Sequence, residues 1–293
     1  MSHPFIPKGQ DLADFPTQAG IYYGLPADTY HADKQAVSNS RLNLIRKSPA
    51  HFKHWLEYGE GKDTAALSAG RLFHMLMEGD DSIACYPGPV RRGKAWEQFK
   101  ADNADKTIVT LKELGDAQAW ELAMKDAPLV KALLPHGIHE VTAVAQMQGV
   151  LVKARADFLV TDGPYAGALV DWKSVADASP EGFLRSVDRY RYAEQAALYL
   201  AVFEKAGWPI SWQFLFACVE KDPPHVTQVY ELDSDILEIA RRNLATDLNT
   251  LKVCRERNEW PGYCDDEVVI LDAPQHGRLA PAAITWQGME VAL

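Results

Sequence analysis

Two aspartates and a lysine carry the most chemistry in this chain: Asp157, thirteen intervening residues, then Asp171-Trp172-Lys173. Both aspartates lie in short runs rich in β-branched and apolar residues, and Asp162-Gly163 between them reads as a turn. The spacing predicts a hairpin in which Asp157 begins one strand and Asp171 ends the next, bringing both to the same end of neighbouring strands. Asp171 and Lys173 are two apart, so both point to one face of their strand. Two carboxylates and an ammonium on one face of an apolar meander are costly to bury without a partner. A Mg2+ ion resolves the carboxylate part, because it takes hard oxygen ligands in octahedral geometry and retains several waters. The lysine can then hold or deprotonate a water while the metal polarises a phosphoryl oxygen. That chemistry is metal-assisted phosphodiester hydrolysis. The plainer alternative is an Asp–Lys pair on a half-exposed strand, which contributes little.

The chain that positions these groups has 293 residues, enough for one large domain or two small ones. Its 47% hydrophobic and 24% charged residues are ordinary for a folded protein. No apolar run approaches the roughly 18 residues that span a bilayer. Residues 1–10 lack the basic-then-apolar layout of a signal peptide, so a cytoplasmic location without a membrane partner is expected. Cys85, Cys218, Cys254 and Cys264 show no C-x-x-C spacing and read as reduced thiols, not as a zinc or redox centre. A formal charge of −10 argues against a generalised nucleic-acid coat, yet permits an enzyme whose basic residues are confined to one groove.

Residues 1–36 read as an irregular lead-in, with a short strand at 20–24. A helix begins near Ser38, with Ser38 or Ser40 as its cap, and Pro49 starts another. Ala66, Gly70, Phe73 and Met77, with Leu67 and His74, define one helical stripe, and His74 lies on it. Residues 80–106, rich in Gly, Pro and charge, read as a loop, and 111–133 as one helix. The period then changes to that of strands at 141–145, 150–154, 157–160 and 168–173, an antiparallel meander of three or four strands. Ser179-Pro180 opens one long helix with Tyr192, Gln195, Ala196, Tyr199 and Phe203 on a single face. Strands at 212–219 and 226–232 and a helix at 235–257 complete a mixed α/β domain over 37–262, with the sheet flanked by helices. The tail, 263–293, is poorly patterned.

Asp157…Asp171-Trp172-Lys173 resembles the PD-(D/E)XK nuclease signature, with Ala156 where its name has Pro. Tyr30-His31, Val37-Ser38-Asn39-Ser40-Arg41-Leu42, Gly70-Arg71-Leu72-Phe73-His74, Arg155-Ala156-Asp157, Tyr190 to Tyr199 and Glu259-Trp260-Pro261 are similar, in that order, to segments of the exonuclease VIII (RecE) C-terminal nuclease domain family. The resemblance spans about 20–262. It implies a restriction-endonuclease-like core with a central mixed sheet, and metal held by His74, Asp157, Asp171 and the Trp172 carbonyl. It implies further that Lys173 activates the attacking water, Gln195 bonds within the site, and Tyr199 lies beside the nucleic acid. Ser38, Ser40 and Arg41 resemble a segment near the 5′-phosphate in the related phage lambda exonuclease. Read without the resemblance, His74 is equally a core histidine, Gln195 and Tyr199 ordinary packing, and Ser38 and Ser40 helix caps. Glu140 either joins the metal site or lies in a solvated turn.

The resemblance further implies a 5′-to-3′ exonuclease on linear double-stranded DNA ends. It would use Mg2+, with Mn2+ as a substitute, and leave 3′ single-stranded tails for phage or prophage recombination. The implied partners are a single-strand annealing recombinase and identical subunits in a ring, a tetramer. Arg41, Arg46, Lys47, Lys53, Arg185, Arg189 and Arg191 are candidates for lining the channel of such a ring. An endonuclease or single-strand nuclease of the same superfamily stands as an alternative, as does a non-catalytic DNA-binding scaffold. A serine or cysteine hydrolase lacks a G-x-S-x-G elbow.

Overall fold

The computed structural model describes residues 14–59, 64–211, 213–263 and 268, and the backbone of 283–286 and 289–292. The chain divides into two units, Met1–Trp260 and Pro261–Leu293. The first begins with strand β1 (Gly20–Tyr22) and a short helix, α1 (Ala27–Ala32), so regular structure enters the lead-in. Next come α2 (Asn39–Lys47), α3 (Pro49–Tyr58) and α4 (Ala65–Glu78). Ser48 caps α3, with Pro49 in its first turn, and Thr64 caps α4. Ser38 occupies the cap position of α2, but its hydroxyl pairs with that of Ser40 at 3.0 Å instead of accepting a helix amide.

The expected loop at 80–106 is mostly regular. Parallel strands β2 (Ile83–Tyr86) and β3 (Thr107–Thr110) flank helix α5 (Lys94–Asp102). The single helix expected at 111–133 is two, α6 (Leu111–Asp126) and α7 (Pro128–Leu133), because a proline cannot continue the amide ladder of the preceding turn. The meander is β4 (Gly137–Met147), β5 (Val150–Val160) and β6 (Leu169–Val175), so the runs at 150–154 and 157–160 are one strand. The long helix expected from Pro180 is also divided, into α8 (Pro180–Tyr190) and α9 (Tyr192–Lys205). Arg191 turns left-handed between them at φ 59 and ψ 43. Strands β7 (Phe214–Glu220) and β8 (Thr227–Glu231) and helix α10 (Ser234–Arg257) complete this unit. Trp212, the expected start of the first of these strands, lies outside the described residues. In the second unit, where the sequence shows little pattern, β9 (Ala283–Trp286) and β10 (Met289–Ala292) pair antiparallel.

One six-stranded sheet runs in the order β1-β4-β5-β6-β7-β8. Its neighbours are antiparallel except β6 and β7, which are parallel and therefore need the α8–α9 crossover between them. Helices cover both faces. On one, Leu42, Phe52, Phe183, Phe203, Leu244 and Leu248 pack with Phe214 and Phe216. On the other, Leu72, Phe73, Trp120 and Met124 pack with Phe158 and Trp172. Burying each such side chain stabilises the fold by about 1.5–3 kcal/mol. This is the mixed α/β class that the sequence implies. No described helix is long and apolar enough to cross a membrane.

Two cations of β5 hold the first segment against the sheet. Lys153, its side chain 4% exposed, donates to Tyr30 O at 2.5 Å, Asp33 O at 3.0 Å and Asp33 Oδ2 at 3.1 Å. Arg155 donates to Leu25 O, to Thr142 Oγ1 at 3.1 Å, and pairs with Glu140 at 2.9 Å. Removing one partner of a buried pair strands the other charge. Lys153→Ala is therefore expected to lower stability by about 3 kcal/mol in urea unfolding. A loss below about 1 kcal/mol, the value of an exposed pair, would show that this ammonium does not hold the segment.

Candidate active site

The site forms where two neighbouring strands part. The ladder between β5 and β6 pairs Leu159 with Leu169 and Phe158 with Val170. Past that point the Asp157 carboxylate takes the place of the backbone, and its Oδ2 accepts the Trp172 N–H at 2.8 Å. Asp157 thus lies well inside β5 and Asp171 in the interior of β6. Neither sits at a strand end as the hairpin spacing predicts, because β5 runs unbroken through the position taken for its start.

A kink in the meander aims Asp157. Pairing of β4 with β5 is regular at His139–Phe158 and at Val141–Ala156, but not at the intervening Glu140, whose φ is 55. A left-handed non-glycine residue costs about 1–3 kcal/mol and persists where its surroundings enforce it. Here β5 changes face across the kink. Val152, Ala154 and Ala156 belong to one core cluster, Phe158 and Val160 to the other.

Asp171 and Lys173 share a face of β6, as period-two alternation requires. Lys173 Nζ lies 2.5 Å from Asp171 Oδ2 and 4.6 Å from the Tyr192 ring centre. Gln195, on α9, joins the pair: its Nε2 donates to Asp171 Oδ1 at 2.5 Å, and its Oε1 accepts from Lys173 Nζ at 3.3 Å. His74, on α4, places Nδ1 3.4 Å from Asp157 Oδ1. Asp171, Lys173 and Gln195 are therefore in mutual contact, and Asp157 joins them through the Trp172 amide, with His74 beside it.

Burial and charge set the protonation states. Burial pushes the Asp171 carboxyl up to about 6 against the pull of Lys173. Burial also acts to raise Asp157, but the His74 charge and hydrogen bond, Lys173 and the Trp172 amide outweigh it and hold the group below its usual range. For His74 burial works downward, and the Asp157 carboxylate overcomes it, lifting the imidazole to about 9. Lys173 is likewise opposed by burial but raised by Asp171 and its neighbours, so it is firmly an ammonium.

Two carboxylates extend the cluster. Burial and the adjacent Glu140 push Glu78 up to about 8, and burial likewise raises Glu140. Glu140 thus belongs to the site's electrostatics and not to a solvated turn. Glu78 escaped the sequence reading, although it stands four residues after His74, on the same side of one helix. Of the remaining expected residues, Tyr199 lies one turn after Gln195 and packs edge-on against Phe214 at 5.8 Å. Ser38, Ser40 and Arg41 stand at the start of α2, next to Val37, which bonds to β5. The Arg41 guanidinium lies 3.9 Å from the Trp55 ring centre. Arg46 does not face a channel: it turns inward onto Asp247 and Asn43.

The donor set suits a divalent cation. Asp157 and Asp171 are both buried carboxylates, Asp171 Oδ2 is balanced by the Lys173 ammonium, and Glu78 and Glu140 are two further acids held unfavourably close together. Hard carboxylate oxygens beside an imidazole are ligands such an ion takes. Among the described residues, however, no three of these groups converge on a common point as they stand. Lys173 and Gln195 occupy Asp171 and must yield part of their hold when a cation enters.

Residues 38–270 match the family model described as "PDDEXK-like domain of unknown function (DUF3799)", and the chain belongs to that family. The fold is similar to that of a crystal structure from Eubacterium rectale named "Putative exonuclease". The TM-score is 0.61 and the identity 17%, over 88% of this chain and all (100%) of that one. A second structure, SSO0001, matches at a TM-score of 0.33 and 14% identity over 73% of this chain and 77% of its own, too loosely to carry weight. No curated protein matches the chain. Family and fold together make this a PDDEXK-like domain.

The raised groups fix a pH response of the metal-free protein. A native pKa above the unfolded value means that the folded state binds more protons, so stability falls as pH rises through that interval. For Glu78 the interval runs from its ordinary 4.5 to about 8, and for His74 from 6.5 to about 9. Melting temperature in chelator is expected to fall between pH 5 and 9, and Mg2+ should flatten the decline by binding the deprotonated groups. Parallel curves with and without Mg2+ would remove these residues from the metal site.

Proposed function

We propose that this PDDEXK-like domain is a nuclease, a metal-dependent 5′-to-3′ exodeoxyribonuclease on linear double-stranded DNA. The observation that carries the hydrolytic part is the contact set of Asp171, Lys173 and Gln195 beside Asp157 and His74, buried at a parting of two strands. A divalent ion, Mg2+ or in its place Mn2+, would be held by His74, Asp157, Asp171 and the Trp172 carbonyl, and supplies charge neutralisation at the phosphate and a more acidic water.

The chain's own residues do the rest. Lys173, kept protonated by its carboxylate neighbours, acts as a donor: it orients the attacking water and steadies negative charge on a phosphoryl oxygen. Gln195 bonds to both Lys173 and Asp171 and so orients the two side chains within the site. Trp172 and Phe158, fully buried on the opposite face, keep water from that side and strengthen the site's electrostatics.

Direction of digestion, preference for duplex ends and production of 3′ tails rest on the resemblance to the exonuclease VIII family. So do the tetrameric ring and the annealing partner. The name of the Eubacterium rectale neighbour agrees with exonuclease action. A ring would reconcile a net charge of −10 with DNA binding by confining cations to its channel.

Digestion of a 5′-phosphorylated linear duplex with Mg2+ tests this reading. Nucleotide release is expected to stop with chelator and to fall by about a hundredfold or more in Lys173→Ala. Closed circular duplex should survive intact. Cutting of circles would shift the assignment to an endonuclease, and near-normal release by Lys173→Ala would remove that residue from its role.

A further inference from the structure

The β2–α5–β3 unit lies outside the site just described, and its tip has a charge opposite to that of the chain. Residues 87–96 contain Arg91, Arg92 and Lys94 and no carboxylate, while the whole chain carries −10. Of the acids of this unit, Asp80, Asp81, Asp102 and Asp105 stand near its base, beside the strand and helix ends, and Glu97, in the first turn of α5, is paired with Lys100 at 2.8 Å. The unit follows α4 directly: four residues separate Glu78 from Ile83. A basic projection thus grows from the helix that carries His74.

The tip is built, not loose. Tyr86 packs edge-on against Trp96 at 5.0 Å and Phe99 at 5.1 Å, forming a small aromatic core. Gly88 lies so close that an added Cβ would stand 2.5 Å from the Tyr86 ring. Gly93 adopts φ 82 and ψ −179, a region essentially restricted to glycine, and so fixes the turn between Arg92 and Lys94. Arg91 is the anchor. It donates to Ile108 O at 3.3 Å, pairs with Glu113 at 2.6 Å, and lies 5.8 Å from the Trp96 ring centre, as does Lys100.

Arg92 and Lys94 are exposed and have no ion-pair partner among the described residues. Many other surface cations are neutralised locally, as in Lys53–Glu57, Lys112–Asp116, Arg185–Asp177 and Lys252–Glu256. A rigid turn that presents unpaired cations from an acidic protein suits a polyanion with regularly spaced charges. Resting on the nuclease reading above, we propose that this tip is an arm that binds the phosphate backbone of duplex DNA, with Arg92 and Lys94 as the contacts. Backbone contacts position a duplex without reading its sequence, which is what cutting at any sequence requires.

The test is equilibrium binding of the full chain to a fluorescein-labelled blunt duplex, followed by anisotropy in chelator over a range of salt. Each phosphate contact contributes about 0.9 to the slope of log K against log salt, so Arg92→Ala/Lys94→Ala should bind more weakly with a slope shallower by about 1.8. Its melting temperature should equal that of the wild type. The control Lys112→Ala/Lys252→Ala removes the same charge from helix surfaces and should keep the wild-type slope. An unchanged slope in the arm variant overturns the proposal, and so does an equal drop in the control. Lost binding to single-stranded RNA or an acidic peptide, with duplex binding intact, overturns it as well. If the wild type releases no nucleotides but the arm variant shows the drop, the nuclease reading fails and the arm stands. If the wild type digests DNA and the slope is unchanged, the arm fails alone.

Discussion

A single hydrogen bond, from the Trp172 amide to the Asp157 carboxylate, stands where the sheet would otherwise have a rung of its ladder. A side chain in the place of a backbone carbonyl lets β5 and β6 part without orphaning a buried N–H, which would cost about 1–3 kcal/mol. The gap so opened admits Asp171 and Lys173 from one strand and Gln195 from a helix. The same carboxylate faces His74 with its other oxygen, so one residue both seams the sheet and sets the charge of the site. The rest of the architecture keeps that seam in place.

Support comes from the far side of the kink. Glu140 can hold its left-handed backbone because Arg155 grips its carboxylate, and Arg155 is in turn fixed by Thr142 and Leu25. Through this guanidinium the first segment of the chain reaches the acidic cluster. Charges inside the site are nearly balanced in protein terms: two aspartates against an ammonium and an imidazole, with Glu78 and Glu140 added at one side. Such an arrangement tolerates burial, yet it leaves excess negative charge that a divalent cation satisfies.

What the sequence disclosed follows from periodicity. Asp171 and Lys173 had to share a face because strand side chains alternate, and the stripe through Phe73 and His74 had to face inward because helical side chains recur every three to four residues. What it concealed is tertiary. Asp157 reads as a strand start because its kink depends on Glu140 in another strand, with no Gly or Pro to mark it. Arg191 divides a helix by turning left-handed, again without glycine. The β2–β3 pairing is parallel and non-local, so the Gly and Pro between its strands dominate the composition and suggest a loop. Glu78 was legible in principle: an acid one turn beyond a histidine on the same helix face. Arg46, basic and near a helix end, turns inward only because Asp247, two hundred and one residues away, awaits it.

The parallel partnership of β6 and β7 has a kinetic consequence. The hairpin of β5 and β6 can close early, since its strands are near in sequence, but β7 joins only after the α8–α9 crossover has folded over the sheet. Gln195 rides on that crossover. Until β7 docks, the chain holds Asp171 and Lys173 without the amide that bonds both of them. Docking of β7 and assembly of the candidate site are thus coupled.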